Sequence, residues 1–542
     1  MIKLLSPSFP SAACFILAVA ARITATRAFI NVDTDKFSLV LTTRNFLNGH
    51  GIAIGQAPID DLATKIYLPF VGWPPVYNLL LSPFLAIWKD NYMLATFLLD
   101  SCITVLFFIY LRKLLLLLQF PVWMTNLFLI IQGVLIMPYT ISSTPTDFIA
   151  LFFLLAGIYH LVKSAPTPSF SFKRHFFWIL FLCAAALTRY QYIPVVLAIP
   201  FLLLLLGRAR HNRAAIITGF VSGALLCSVI AMVLFFQKLN SGAFVYISNS
   251  PKGFFPSNLL SMYPFALGSF INIDLWAMQF SLLFKTKYSV GYSLLYWVSI
   301  ILFIALVLGY VYWIFKNKAA TATHTGIFIL AGAAAALATV ATLIFLSLTC
   351  SKELSPPIYD WTYVRERRYF AFPVLFIQVI AWHWLFCRKI RAWPVKFFRG
   401  ILIVTTCIEV LHGAYLLGKK ISTPLAPIKD TAWKRAEVVF TRKFVQEHLK
   451  TSNRPLVVTS VIKYLSFIGE WYGASAGLFR IDELNAGLLK TSRPATCLII
   501  IREEELSLFQ QLLKKPGIKF IHSVSGHYFY VLNVEPVNGH VK

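Results

Sequence analysis

Carboxylates are scarce through most of this 542-residue chain, so each one is a place to look for chemistry. Before residue 418 there are only twelve: Asp33, Asp35, Asp60, Asp61, Asp90, Asp100, Asp147, Asp274, Glu353, Asp360, Glu366 and Glu409. A charge in hydrocarbon is expensive, so an acid in such an apolar sequence needs a partner or a task. Four of them, Asp33, Asp35, Asp60 and Asp61, share the single segment 29–73. A carboxylate there can take the proton of a hydroxyl as that hydroxyl attacks an electrophilic carbon. Asp33 and Asp35 also suit a plainer role, as solvated acids capping the helix that follows. The complementary cations are Lys352, Arg365, Arg367 and Arg368 in one segment, and Arg189 between two apolar runs. Guanidinium groups fork onto phosphate oxygens in a bidentate way, which suits Arg368 first and its neighbours next. The same residues also fit an interfacial role with the charged heads reaching water, and Arg189 fits an ion pair with Asp147.

The elements that must position these residues are membrane helices. The chain is 58% hydrophobic and only 13% charged, against about 25% charged in soluble domains. Apolar runs of about 20 residues, long enough to cross a bilayer, recur from end to end. The first, 8–28, lacks a convincing small-x-small cleavage pattern and reads as a retained helix. The formal charge of +27, from 49 basic and 22 acidic residues, follows the rule that Lys and Arg collect in cytoplasmic loops. Segments 208–213, 316–318 and 388–399 are the clearest cases, and some of the excess suits anionic lipid. No basic stretch interleaves with aromatics in a polar context, which argues against nucleic acid. The run 176–206 is too long for one helix and breaks near Arg189 to Pro194, as a hairpin with its tip outside. Helices near 214–236, 290–314, 324–349, 369–387 and 400–417 follow, with 237–287 and 350–368 as external segments. Counting 74–88, 92–111, 122–140 and 147–162 as single passes gives the wrong parity for an external C-terminus. The expectation is therefore about 11 to 13 spans.

The composition changes after residue 417, and ten of the 22 acidic residues lie beyond it. A helix is expected over 431–450. Short strands are expected at Pro455–Thr459, Thr496–Ile501, Ile518–His522 and Tyr528–Leu532, alternating with helices such as 503–514. The expected organisation is an all-α membrane bundle over 1–417, with a first external loop at 29–73, and a small extracytoplasmic α/β domain over 418–542. The eight cysteines sit mostly in apolar runs without a CxxC or Cys/His metal pattern, so they read as small apolar residues. No P-loop, GxSxG or HExxH motif is present, which disfavours an ATPase, a serine hydrolase or a zincin.

Within the acidic loop, Leu39, Val40, Phe46 and Leu47 suggest an amphipathic helix lying on the interface. Asn48-Gly49-His50-Gly51 stops it, because Gly supplies the positive φ of a helix end. His50 reads as a loop residue or a ligand-binding one. Trp73-Pro74-Pro75-Val76-Tyr77 begins the next span, and Trp73 and Tyr77 suit either an interfacial anchor or the wall of a sugar or lipid groove. Asp60-Asp61 offers paired oxygens to a divalent cation, or forms a solvated turn. Asp100 and Glu409 fall within spans and are expected to pair with Arg or hydroxyls.

The order of these landmarks resembles the GT-C glycosyltransferases, polytopic enzymes that use polyprenyl-phosphate-linked sugars. Asp33-x-Asp35, Arg44 to Gly51 and Pro74-Pro75-x-Tyr77 resemble the family's first external loop. Ser143 to Asp147 resembles its external acid at the start of a span, Leu187-Thr188-Arg189 its hairpin tip, and Arg367 to Pro373 its Arg-Tyr-x-x-Pro helix start. The nearest branches are those of protein mannosyltransferases, aminoarabinose transferases and arabinofuranosyltransferases. The resemblance implies inverting transfer of a sugar from a polyprenyl-phosphate donor to a lipid, glycan or protein acceptor, at the outer face of a bacterial inner membrane. It implies that an aspartate of the first loop is the base, Asp35 before Asp33, with no nucleotide sugar at the site. A lipid-linked glycan polymerase or ligase, a glycolipid transporter and an inactive scaffold remain alternatives. A transporter predicts inverted repeats with helices broken at midplane, and none is visible.

Overall fold

The computed structural model describes residues 9–28, 34–89, 91–135, 145–164, 172–209, 211–242, 253–316, 323–349, 366–387, 393–422, 435–461 and 463–536. Asp33, Lys352 and Arg365 lie outside them. The chain is mainly helical: α1 (Phe9–Ala28), α2 (Thr34–Leu47), α3 (Val76–Ile87), α4 (Tyr92–Leu117), α5 (Val122–Leu135), α6 (Thr146–Ser164), α7 (Phe172–Ala186), α8 (Tyr192–Ala209), α9 (Arg213–Ser241), α10 (Ile273–Phe284), α11 (Tyr288–Lys316), α12 (His324–Leu348), α13 (Ala371–Trp382) and α14 (Trp393–Ser422). Beyond them come α15 (Ala436–Thr451) and α16 (Lys463–Trp471). Among the described residues eight helices are long and apolar enough to cross a membrane, nine if the bent pair Pro256–Gly268 and Ile273–Phe284 is one span. Four shorter apolar helices, in α3, α5, α7 and α8, account for the larger number of spans expected from hydropathy. The chain is a multi-pass membrane protein. The break between α7 and α8 falls at Arg189, where the sequence places it.

The chain divides into two compact units. The first comprises residues 1–29, 100–235 and 247–425. Its spans are tied by buried polar groups, as expected where lipid offers no hydrogen bonds. Asp100 accepts from Thr26 Oγ1 at 2.9 Å, with the buried Arg22 close enough for their charges to interact. Glu409 accepts from the Asn272 amide and from Trp276 Nε1, both at 2.8 Å. Asp100 thus has the hydroxyl and Arg partners expected of it, whereas Glu409 is met by a backbone amide and an indole N–H instead. Gln132 donates to Gln378 at 2.9 Å. Helices α1 and α5 approach closely at Gly133, where a Cβ would stand 2.8 Å from the Ala18 carbonyl oxygen. The seven described cysteines that can be assigned are all free thiols.

The second unit joins residues 30–99, a short piece at 236–246, and 426–542. The boundary at 417 marks a change of composition, whereas contacts place the first loop with the C-terminal stretch. A seven-stranded mixed sheet shows why. Its strands are β1 (Ala53–Gln56), β2 (Ile66–Pro69), β3 (Leu456–Ser460), β4 (Ser475–Gly477), β5 (Ala495–Arg502), β6 (Ile518–Val524) and β7 (His527–Val534), in the order β2-β1-β4-β3-β5-β7-β6. Strands β3, β5, β6 and β7 coincide with the apolar runs expected. Strands β1 and β2 come from the first loop, and β1 runs parallel to β4 through Gln56 and Ala476. Ala57 and Leu62 of the same loop pack into the core with Val457, Cys497, Ile499 and Phe509.

Helix α2 differs from the expected interfacial helix. Phe37, Leu39, Val40 and Leu41 are buried, and so are Ser38, Thr42, Thr43 and Asn45 on other faces, because α3, α16 and β1 surround it. Asn78 of α3 fixes it by donating to the Leu39 carbonyl (3.0 Å), Thr42 Oγ1 (2.8 Å) and Thr43 Oγ1 (2.9 Å). Replacing Asn78 with Leu keeps the bulk but leaves buried oxygens without a donor. The expected loss is about 1–3 kcal/mol, read as a lower thermal midpoint of the second unit by tryptophan fluorescence.

Candidate functional site

In the first unit three chain segments bring the predicted residues together. Helix α6 begins at Thr146-Asp147, and an acid in the first turn is favoured by the helix dipole. Arg189 sits in the turn where α7 ends and α8 begins. Arg368 sits in the short 3-10 turn Arg367–Phe370 that leads into α13. Asp147, 1% exposed, forms an ion pair with Arg189 at 2.6 Å and a longer one with Arg368 at 3.5 Å. Arg189 also donates to Thr146 Oγ1 at 3.1 Å. Arg368 pairs with Glu366 and donates to the Tyr369 hydroxyl at 3.2 Å. Both guanidinium groups stand 5.0 Å from the centre of the Tyr369 ring. Two cations and two carboxylates therefore share one cluster on an aromatic floor, with Asp147 and Arg189 buried and Arg368 and Glu366 partly exposed. Burial pushes the Glu366 carboxyl above its ordinary value, against the opposing pull of Arg368.

Arg367 points elsewhere. It pairs with Asp274 in the first turn of α10, approaches Asn272 Oδ1 at 3.4 Å, and lies 5.8 Å from the Tyr263 ring centre.

The remaining candidates belong to the second unit. Asp35 is half-buried in the first turn of α2, and its backbone carbonyl accepts from Ser38 Oγ at 2.8 Å. Gly49 and Gly51, at φ 85° and 73°, turn the chain out of α2 as the sequence predicts. His50 is exposed and stacks on Tyr67 with ring centroids 3.7 Å apart. Trp73 is half-buried, and Tyr77 is wholly buried in α3. Asp61 ties its loop to the C-terminal stretch: it accepts from Thr64 Oγ1 at 2.5 Å and from the amide of Ser492 at 2.8 Å. The bond from Thr64, with those from Ser492 and Ala63, holds its carboxyl down at about 2. The tie is therefore complete above the ordinary carboxylate range and is lost only as pH falls towards 2. Among the described residues no group of three His, Cys, Asp or Glu side chains is arranged to hold a metal ion.

No model of a known protein family matches the sequence, and no curated protein sequence matches it. Solved structures do match. ArnT from Cupriavidus metallidurans in the apo state superimposes with a TM-score of 0.51 at 12% identity, over 96% of this chain and 98% of that one. The apo Archaeoglobus fulgidus oligosaccharyltransferase gives a TM-score of 0.51 at 9% identity, over 96% of this chain and 74% of that one. This chain has the GT-C fold. The GT-C bundle with a small C-terminal sheet is the architecture expected from the order of motifs. At such identities the likeness concerns the fold and leaves residue roles to chemistry.

One residue of this chain escaped the sequence reading. Glu470, only 4% exposed, accepts from Asn45 Nδ2 and from the Gly55 amide. The C-terminal stretch is rich in acids, so scarcity did not single it out. The available signal was local: Glu470 is the one acid between Glu447 and Asp482, inside the apolar helix α16.

Proposed function

We propose that this chain transfers a sugar from a polyprenyl-phosphate-linked donor to a lipid, glycan or protein acceptor, with inversion, at the extracytoplasmic face of a bacterial inner membrane. The observation that carries the reading is the fold shared over 96% of the chain with two solved structures, one of them an oligosaccharyltransferase. In this reading Asp35 is the general base, with Asp33 as the other candidate. It takes the acceptor's proton as the hydroxyl attacks the anomeric carbon, and the lipid phosphate leaves. Arg368 receives that phosphate, with Arg189 behind it; Arg367, Arg365 and Lys352 add positive charge along the same segment. The incoming phosphate replaces Glu366, whose carboxyl is pushed above its ordinary value by burial. Asp147 then keeps both arginines oriented. Trp73 and His50 offer surfaces to the sugar, whereas the burial of Tyr77 suits a supporting role.

The test is donor consumption by the purified chain in lipid nanodiscs, with a panel of polyprenyl-phospho-sugars and crude envelope acceptors. Release of polyprenyl phosphate with formation of an inverted glycoside is expected. Movement of intact donor across vesicles without bond cleavage rejects transfer in favour of transport.

A further inference from the structure

The last residues of α2 are gripped by the last residues of α16. Asn45 Nδ2 donates to Glu470 Oε1 at 2.9 Å and to the Ala53 carbonyl at 2.8 Å. The Gly55 amide of β1 donates to the same Oε1 at 2.7 Å. Arg44 donates to the Trp471 carbonyl and lies 4.3 Å over the Trp471 ring. Gly55 lets the Glu470 carboxylate approach closely, since a Cβ there would stand 2.7 Å from Glu470 Oε1. Lys65, ahead of β2, donates to the Ala474 carbonyl at 3.0 Å. Among the described residues, the buried Glu470 Oε2 has no hydrogen-bond partner. The joint thus aims two donors at one oxygen and offers the other nothing. A charged carboxylate in that setting keeps an unsolvated oxygen, a cost that the neutral acid largely avoids.

We propose that Glu470, as a neutral carboxylic acid, is a positioning residue that clamps the end of α2 and strand β1 onto α16 and so holds the acidic start of α2 in place. Its ionisation loosens the clamp. The link to catalysis rests on the reading of Asp35 as base; the clamp itself rests on the contacts above.

Burial raises the Glu470 carboxyl to about 7, opposed by the Asn45 bond, Lys65, the Gly55 bond and Arg44. Burial likewise lowers Lys65, against the pull of Glu470. Among the described residues, the charged groups acting on Glu470 are Lys65 and Arg44, and none comes from β3, β4 or α15, which also pack on α16. The folded value lies above the unfolded one, so the clamp is tightest at low pH. It weakens as pH rises through about 7.

The test is amide hydrogen exchange over residues 44–56 in the full chain in nanodiscs, corrected for intrinsic rates. Wild type, Glu470→Gln and Glu470→Ala are compared at about pH 5.5 and about pH 8.5, with donor turnover measured on the same samples. In wild type, protection of the Gly55 amide is expected to fall roughly thirtyfold between the two conditions. The Gln variant keeps its protection at both, because its carbonyl still accepts both bonds without a charge. The Ala variant loses protection at both. Equal protection of wild type and the Gln variant at every pH, or a Gln variant as open as the Ala variant, overturns the clamp. Turnover that tracks protection supports the link to the start of α2, and turnover that ignores it overturns that link. If no sample turns over any donor, the transferase reading fails, while the exchange data still judge the clamp.

Discussion

Replacing Asp35 with Asn lowers kcat for sugar transfer by about 10²–10⁴ while KM for the lipid donor changes little. That is the usual contribution of a positioned general base. The substitution is nearly isosteric, so it removes the proton acceptor without opening a cavity. The Ser38 hydroxyl still donates to the Asp35 backbone carbonyl, so that bond of the first turn is kept. The rest of α2 is fixed by Asn78 and by the grip of α16 on Arg44 and Asn45. Asp33→Asn is the necessary companion. Loss of turnover in that variant with activity kept in Asp35→Asn moves the base two residues back. Full activity in both removes the base from this loop altogether. The measurement is single-turnover transfer from a radiolabelled donor, with thermal midpoints showing that both variants are folded.

Why some of this was legible in the sequence, and some not, follows from where each stabilising contact lies. The apolar runs of α4, α9, α11 and α12 are long and nearly free of charge, and hydropathy alone finds them. Strands β5 and β7 are continuous β-branched and aromatic runs, and they too are visible locally. Strand β4 is Ser475-Ala476-Gly477, three small residues without strand preference, and it exists only because β1 and β3 pair with it on either side. Strand β1 pairs along its length with β2 of the same loop, but its joining of β4 through Gln56 and Ala476 links positions more than 400 apart, a distance no local pattern spans. The same dependence hid the burial of α2: its Thr and Ser residues look solvent-facing, but Asn78 and the helix's own carbonyls satisfy their hydroxyls inside the fold. For the polar cluster, scarcity of acids in the membrane half pointed to Asp147, and an isolated Arg in an apolar run pointed to Arg189. Their pairing was one reading of the sequence; that Arg368 joins them depends on α13 packing beside α12, which no spacing encodes.

That cluster carries the other large expected effect. Arg189→Ala strips Asp147 of its 2.6 Å partner and leaves only Arg368 at 3.5 Å. Asp147→Ala leaves Arg189, 3% exposed, without its carboxylate. Removing one member of a buried pair costs about 3–5 kcal/mol, because the remaining charge stays desolvated. Each single variant is therefore expected to melt well below wild type in detergent. Removing both members behaves differently. Asp147→Leu combined with Arg189→Met eliminates both desolvated charges and recovers much of the loss, since a buried ion pair barely exceeds its own desolvation cost. This double variant separates structure from function. If the cluster only fastens α6 to the turn between α7 and α8, the double variant melts near wild type and turns over donor normally. If the pair orients Arg368 for a phosphate, the double variant is again stable, but its KM for the lipid donor rises at least tenfold. Arg368 then keeps Glu366 but lacks the second carboxylate that helps to fix its plane.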